Sequence, residues 1–521
     1  MWPLNKFAKG VLVGLMIISV GSGITARVKT QNLDSANFLS FIDKSVLFKP
    51  LKSDYAATND GLKDLISAKP EKVCAVIEQA NYTPRYFFRQ KPFIAASLIS
   101  ASGWVAPVST SWLAGLWIAS SLVGGLLALY IFMRKSKLSN TTALLVLATV
   151  SLYPVFSNAF LGQIYMDLLM FGPATALVLS IWWMKNHSTS IWRWTVSLTI
   201  LLGLISERGA YLAGLVGFGY TLLLFGKHVL HKREVLCVSL SGLTMGLWGF
   251  IWSKFIMINR DYQGKSYKDA IARFSGLMDD PVRPQFLVFV STSLVFVCLA
   301  LFSGRTALIA LGAITPTLLV STGGAELTGF YTHYHQTYLP VLVSAAVIGF
   351  VRIIFWLNLS NRITQQRIAT VLGAVLLMVS VFNWTQYGQK ATMARLTSDT
   401  KIALLPPQLN DYVRVETLSA ELDQLTTYLK KLNPETISGG ESIMPALFLA
   451  GFKDVEYWPV GVGVADVVVA PLTDGAPNVY PFGDIWGNGQ ELQECTVNTL
   501  INQYQLVQLF ENYGVYQKNI E

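Results

Sequence analysis

The sequence predicts a polytopic α-helical membrane protein, with about eleven transmembrane helices followed by a C-terminal extracytoplasmic α/β domain. Three observations carry that expectation. Hydrophobic residues make up 52% of the 521 and charged residues only 14%, with a mean hydropathy of +0.44, too apolar a balance for a soluble enzyme. Apolar runs of membrane-crossing length recur up to Trp384, separated by short polar turns. Beyond Trp384 the chain becomes polar and breaks into short alternating elements.

Taken in order, Lys6 and Lys9 precede an apolar run over 11–25. Residues 1–26 read as a retained first transmembrane helix; a cleaved signal peptide would leave the next segment on the same side. Residues 27–109 read as an extracytoplasmic loop with amphipathic and interfacial helices. Within it, 63–80 is amphipathic with a break at Pro70. The stretch NYTPRYFFRQKP sets Arg85, Arg89 and Lys91 among Tyr82, Tyr86, Phe87 and Phe88, a composition suited to a lipid–water interface or to phosphate contact. The apolar piece 92–106, ended by Gly103 and Pro107, is too short to span and reads as re-entrant or interfacial.

Residues 110–384 form the multi-span domain, with spans expected at 110–133, 141–159, 161–184, 191–206, 209–226, 235–257, 286–303, 306–321, 338–357 and 366–384. Lys and Arg cluster in alternate loops: Arg134, Lys135 and Lys137; Lys185 and Arg193; Lys227, Lys232 and Arg233; Arg305; Arg352, Arg362 and Arg367. The positive-inside rule makes those loops and the N-terminus cytoplasmic. The net charge of +9 is thus read as topology, and no basic run suited to nucleic acid is present. One outer loop, 259–285, breaks the pattern with Arg260, Lys265, Lys268, Arg273 and Arg283 beside Asp261, Asp269, Asp279 and Asp280, and is read as functional. The location expected is a bacterial cytoplasmic (inner) membrane.

In 385–521, 416–431 reads as an amphipathic helix, 444–451 as a shorter one, and 455–459 and 465–471 as buried strands. Of the four cysteines, Cys237 and Cys298 fall in apolar runs and read as packing residues. Cys74 and Cys495 lie in the two polar segments, where an oxidising compartment would allow a disulfide.

Under this topology the chemically capable residues gather on the outer face. Asp34 and Asp43 follow the first helix. Gln163, Tyr165 and Asp167 open the fourth span. Glu207 and Arg208 occupy the turn LISERGAY. His333, Tyr334 and His335 precede the tenth span in GGAELTGFYTHYHQTYLP. Ionisable groups at a membrane boundary are costly and face protein or water. Asp167 either partners a neighbouring Arg or Tyr or serves a site, and Glu207–Arg208 is either an interfacial ion pair or part of one. A carboxylate here can act as general base on a hydroxyl nucleophile. Arg and Lys can hold a phosphate leaving group. His and carboxylates could hold a divalent metal ion to the same end.

This order of elements resembles the GT-C superfamily of integral-membrane glycosyltransferases, through an early Asp in NLDSANF and a basic–aromatic run in RYFFRQKPFIAASLIS. More closely it looks like an uncharacterised bacterial multi-pass membrane family assigned to that superfamily, matched by QIYMDLLMFGPATALVL, SERGAYL, HYHQTYLP and VEYWPVGVGVADVVVAP. The turn SER carries one acid and one base where the family pattern has two acids, and the first loop lacks an adjacent acidic pair. The resemblance implies sugar transfer from a polyprenyl-phosphate-linked donor to a lipid or glycan acceptor at the bilayer, in the cell envelope. It implies Asp34, Asp167 and Glu207 as the catalytic acids: Asp34 as general base or acceptor-orienting acid, and Asp167 and Glu207 as supporting acids, or as metal ligands if a divalent metal is used. Arg85, Arg89 and Arg208 would meet the donor phosphate, and His333, Tyr334 and His335 would line the cavity. Tyr457 and Trp458 would either stack on a sugar or pack in the core.

Two other functions compete. A transporter or flippase of a lipid-linked or anionic solute would place polar residues at mid-span and repeat its halves, which this sequence does not do. A non-catalytic scaffold with an outer binding domain would tolerate loss of every outer-face acid.

Overall fold

The computed structural model describes residues 95–103, 110–159, 166–251, 282–320, 333–357, 362–387 and most of 415–519, together with Gly10, Lys52–Ser53, Cys74 and Arg85–Tyr86. The chain forms two compact units, Met1–Arg27 with Lys91–Pro407 and Val28–Gln90 with Gln408–Glu521.

The first unit is helical. A short helix α1 (Ala95–Ser102) precedes α2 (Thr110–Lys135), α3 (Asn140–Ser151), α4 (Pro154–Ala159), α5 (Phe171–Asn186), α6 (Trp192–Gly203) and α7 (Glu207–Phe225). After these come α8 (Arg233–Ile251), α9 (Val282–Leu301), α10 (Arg305–Val320), α11 (Leu339–Trp356) and α12 (Arg362–Tyr387). Among the described residues, six helices are long and apolar enough to cross a membrane: Leu113–Lys135, Met166–Asn186, Glu207–Phe225, Arg233–Ile251, Leu339–Trp356 and Ile363–Asn383.

Two of the runs expected as full spans are shorter in the structure. The 141–159 run is divided, because α3 ends after 12 residues and Pro154 begins a separate helix; proline has no N–H for the preceding ladder and its ring would clash with it. The 191–206 run is helical only over the 12 residues of α6, which ends at Gly203. The packing role expected for the lone cysteines also fails in part. Cys298 is exposed and Cys237 only half-buried, since an apolar membrane helix carries apolar side chains on its outward face as well as its inward one.

Burial sorts the helices. In α11, 78% of the apolar window is buried, against 17% in α12, so α11 is the core of this unit and α12 its periphery. Helices α7 and α8 pack through small residues. A Cβ at Gly214 would lie 3.1 Å from the Gly246 Cα, and one at Gly217 would lie 2.9 Å from the Gly242 Cα. Glycine is required there because the backbones themselves touch. Residues Ala213–Tyr220 of α7 are wound as a π-helix.

The second unit holds an antiparallel pair, β1 (Lys52–Ser53) with β2 (Arg85–Tyr86), and a mixed sheet. The sheet contains β3 (Thr436–Gly439), β4 (Asp454–Tyr457), β5 (Val467–Thr473), β6 (Ala476–Pro477), β7 (Tyr504–Leu509) and β8 (Tyr513–Lys518), in the order β4-β3-β5-β8-β7 with β6 on β5. β3 runs parallel to β4 and β5, while β8 is antiparallel to β5 and β7. The helix α13 (Val415–Leu432) buries Leu422, Leu425 and Leu429 in the core of this unit, with Val467, Val468, Val469 and Trp458. Its spacing of three and four residues keeps those leucines on one face. Glu421 accepts from the Asn512 backbone N and from Asn512 Nδ2, both at 2.7 Å, so a buried carboxylate holds the turn between β7 and β8. Cys495, on α14 (Gly489–Gln503), is disulfide-bonded to Cys74 across a sequence separation of 421, with 5.4 Å between Cα atoms.

Candidate functional site

Three short elements of the helical unit converge. The first is the 3-10 turn Met166–Met170, which leads into α5. Ser121 of α2 fixes it: its Oγ donates to the Leu169 carbonyl at 2.8 Å and accepts from the Gly172 backbone N at 3.0 Å. At Gly172 a Cβ would press onto the Ser121 carbonyl, so glycine allows α5 to begin against α2. Asp167 sits in this turn and is 1% exposed.

The second is the start of α7. Ser206 is its N-cap, in extended backbone, with its Oγ accepting from the Gly209 backbone N at 3.1 Å; this satisfies one donor that helix geometry leaves over. Glu207 occupies the first turn, where the helix dipole favours a carboxylate. Gly209 lies against the Leu202 carbonyl and Met170 Sδ, which seats the start of α7 on the end of the Met166–Met170 turn. From that seat Arg208 Nη1 donates to Asp167 Oδ2 at 2.6 Å.

The third is the 3-10 turn His333–Thr337 before α11. It packs against the Met166–Met170 turn and against α4, α7, α10 and α11. His335, Gln336 and Tyr338 are fully buried. His335 Nδ1 and the Tyr338 hydroxyl are 2.7 Å apart, with the two rings edge to face.

The structure therefore brings together Asp167, Glu207, Arg208, His333, Tyr334 and His335 on three packed turns. Asp167 is the buried partner of a neighbouring arginine, one of the two alternatives the sequence left open. Arg85 lies in β2 opposite Ser53, in the second unit. Asp34, Asp43, Arg89, Gln163, Tyr165 and the 259–285 loop lie outside the described residues. Among the described residues no group of three or more His, Cys, Asp or Glu could hold a metal ion, and a cation at Asp167 would compete with the Arg208 guanidinium. Trp458 belongs to the core of the second unit, 1% exposed, with its Nε1 donating to the Asn478 carbonyl at 3.0 Å; it packs and does not present a stacking face. Sequence reasoning missed Ser206, Gln336 and Tyr338. The signal for them was position: Ser206 and Gln336 adjoin the singled-out Glu207 and His335, and Tyr338 follows His335 by three residues.

No protein-family model matches the sequence, and no curated protein matches it. Among solved structures, the chain is similar to ArnT from Cupriavidus metallidurans bound to undecaprenyl phosphate, at 12% identity over 98% of each chain, with a TM-score of 0.51. The fold is similar to that of ArnT. The structure of ArnT in the apo state matches with the same identity, coverage and TM-score. At 12% identity this likeness is one of fold. With the six apolar helices, the ArnT fold makes this chain a polytopic helical membrane protein.

Proposed function

We propose that this chain is a GT-C membrane glycosyltransferase that moves a sugar from a polyprenyl-phosphate-linked donor to a hydroxyl acceptor at the extracytoplasmic face of a bacterial inner membrane. The observation that carries the reading is the likeness to ArnT over 98% of both chains, ArnT itself having been seen with undecaprenyl phosphate. The packed turns bearing Asp167, Arg208 and His335 support it, because they supply a cation held by a buried acid, packed against the turn that carries a buried imidazole. The Cys74–Cys495 disulfide supports placing the second unit outside, since such bonds persist in oxidising compartments. We read the helical unit as a multi-span membrane domain.

In this mechanism a carboxylate, for which Asp34 is the candidate, takes the proton of the acceptor hydroxyl. The hydroxyl oxygen attacks the anomeric carbon and the bond from that carbon to the phosphate oxygen breaks. The polyprenyl phosphate leaves with the bonding electron pair, and the configuration inverts. Arg208, with Arg85 and Arg89, offsets the charge that builds on the departing phosphate. Asp167, whose Oδ2 accepts from Arg208, acts as a positioning acid, and Glu207 as a supporting one. His333, Tyr334 and His335 line the cavity. Membranes carrying Asp34→Asn, assayed for sugar transfer from radiolabelled polyprenyl-phosphate donors, test the reading: transfer is expected to vanish with the protein folded, and full transfer would remove Asp34 from the mechanism.

A further inference from the structure

Gln336 is the buried polar group that the site above leaves unexplained. It lies in the His333–Thr337 turn at 0% exposure, and neither its Nε2 nor its Oε1 has a hydrogen-bond partner among the described residues. Gln366, by contrast, satisfies its Nε2 on the Lys137 carbonyl at 2.7 Å. An amide buried with neither end bonded to the protein bears a desolvation cost that only a bound molecule can offset. In native chains such a group calls for an explanation, among them a functional role or a bound water or ion. The turn that carries Gln336 packs on the turn of Asp167 and on the start of α7, where Arg208 lies.

We propose that Gln336 is a sugar-recognising residue of this site, its carboxamide donating to one ring hydroxyl of the transferred sugar and accepting from another. The chemistry of the group selects that ligand class. A phosphate accepts hydrogen bonds only and is best met by guanidinium, which Arg208 supplies. A carboxamide both donates and accepts, as does a pair of neighbouring hydroxyls. A buried group of this kind discriminates strongly against a substrate lacking its partner, because the partner's absence leaves it unpaired. The inference rests on the glycosyltransferase reading and assigns the recognition of the sugar, as distinct from the lipid phosphate, to one residue.

The test is thermal unfolding in detergent of wild type and Gln336→Met. Each is measured alone, with undecaprenyl phosphate, and with a panel of short-chain polyprenyl-phospho-pentoses and -hexoses. Alone, Gln336→Met is expected to melt at or above the wild-type temperature, because the unpaired amide is gone. At least one panel member is expected to stabilise wild type beyond undecaprenyl phosphate, and that increment is expected to vanish in Gln336→Met, with about tenfold weaker apparent affinity for the sugar-bearing lipid. Three results overturn the proposal: a variant that melts lower or fails to fold, which would make the amide structural; a sugar increment retained in the variant; or no sugar increment in wild type. If undecaprenyl phosphate stabilises neither protein, the glycosyltransferase reading itself falls and this inference with it. That outcome is distinct from the other three, in which the lipid still binds.

Discussion

Arg208 and Asp167 are 41 residues apart in sequence and 2.6 Å apart in space, the guanidinium Nη1 donating to a carboxylate that is almost wholly buried. The Asp167 side chain is 2% exposed and that of Arg208 26%, so the two losses differ. Arg208→Ala removes the guanidinium that bonds Oδ2 of a buried carboxylate and is expected to cost roughly 2–4 kcal/mol, somewhat below the range for fully buried pairs because Arg208 is partly exposed. Asp167→Ala is expected to cost less, since the arginine can turn toward a more polar environment. The double variant is expected to fall short of the sum. Thermal unfolding in one detergent provides all three values, and additive losses would mean that the pair contributes no coupling.

The close approach of α7 and α8 makes a second prediction. At Gly242 a Cβ would enter the backbone of Gly217 and Phe218, whereas at Gly219 it would meet nothing within 4 Å. Gly242→Leu is expected to destabilise by about 1–3 kcal/mol or more, and Gly219→Ala to change stability by about 0.5 kcal/mol or less. Yield of monodisperse protein and melting temperature read both. Equal tolerance at the two positions would contradict the packing described.

The Cys74–Cys495 bond makes a third. Removing it with Cys495→Ser is expected to cost the second unit roughly 2–4 kcal/mol, mainly by releasing the unfolded chain. Limited proteolysis and unfolding measured with and without reductant check this, and peptide mapping without reductant should recover the 74–495 cross-link. Both thiols free in protein made through the secretory route would contradict the structure.

Alkaline pH supplies a fourth. Burial, and then the nearby Asp466 carboxylate, push the Tyr504 hydroxyl well above its ordinary value, and that hydroxyl donates to the Ala465 carbonyl at 2.8 Å. The neutral form is favoured in the folded state, so its contribution is complete below about pH 10, the ordinary value for a free tyrosine. It is lost as pH rises above that toward the folded value. The second unit should therefore lose stability above about pH 10, and Tyr504→Phe should flatten that slope while costing about 1 kcal/mol at neutral pH for the lost bond. Unfolding midpoints followed across that pH range decide it; an unchanged slope in the variant would assign the alkaline loss elsewhere.

Much of the helical unit was legible because apolar runs of bilayer length and the clustering of Lys and Arg are properties of the chain itself. Pro154 was visible in the sequence, yet its effect depends on whether the flanking helices realign, which periodicity does not report. The three turns of the site were legible as polar residues interrupting apolar runs, so Asp167, Arg208 and His335 could be singled out. The Asp167–Arg208 pairing was not, because it depends on Gly209 and Gly172 letting the backbones meet, a consequence of packing between elements far apart in sequence. Gln336 was passed over beside two histidines, since only burial distinguishes an unpaired amide from an ordinary loop residue. In the second unit, a short continuous apolar run exposed 465–471, whereas β7 and β8 mix polar and apolar residues on half-exposed strands and left no clear period. The union of 28–90 with 408–521 had no signal beyond the two cysteines.

The most direct test of the central claim is mass spectrometry of lipid held by the purified protein after saturation with undecaprenyl phosphate, wild type against Arg208→Gln, per mole of folded protein. The account predicts stoichiometric polyprenyl phosphate on wild type and about a tenfold loss in the variant, as expected when a charge-assisted contact to phosphate is removed. Wild type that retains no polyprenyl phosphate, or a variant that retains as much as wild type, would contradict it.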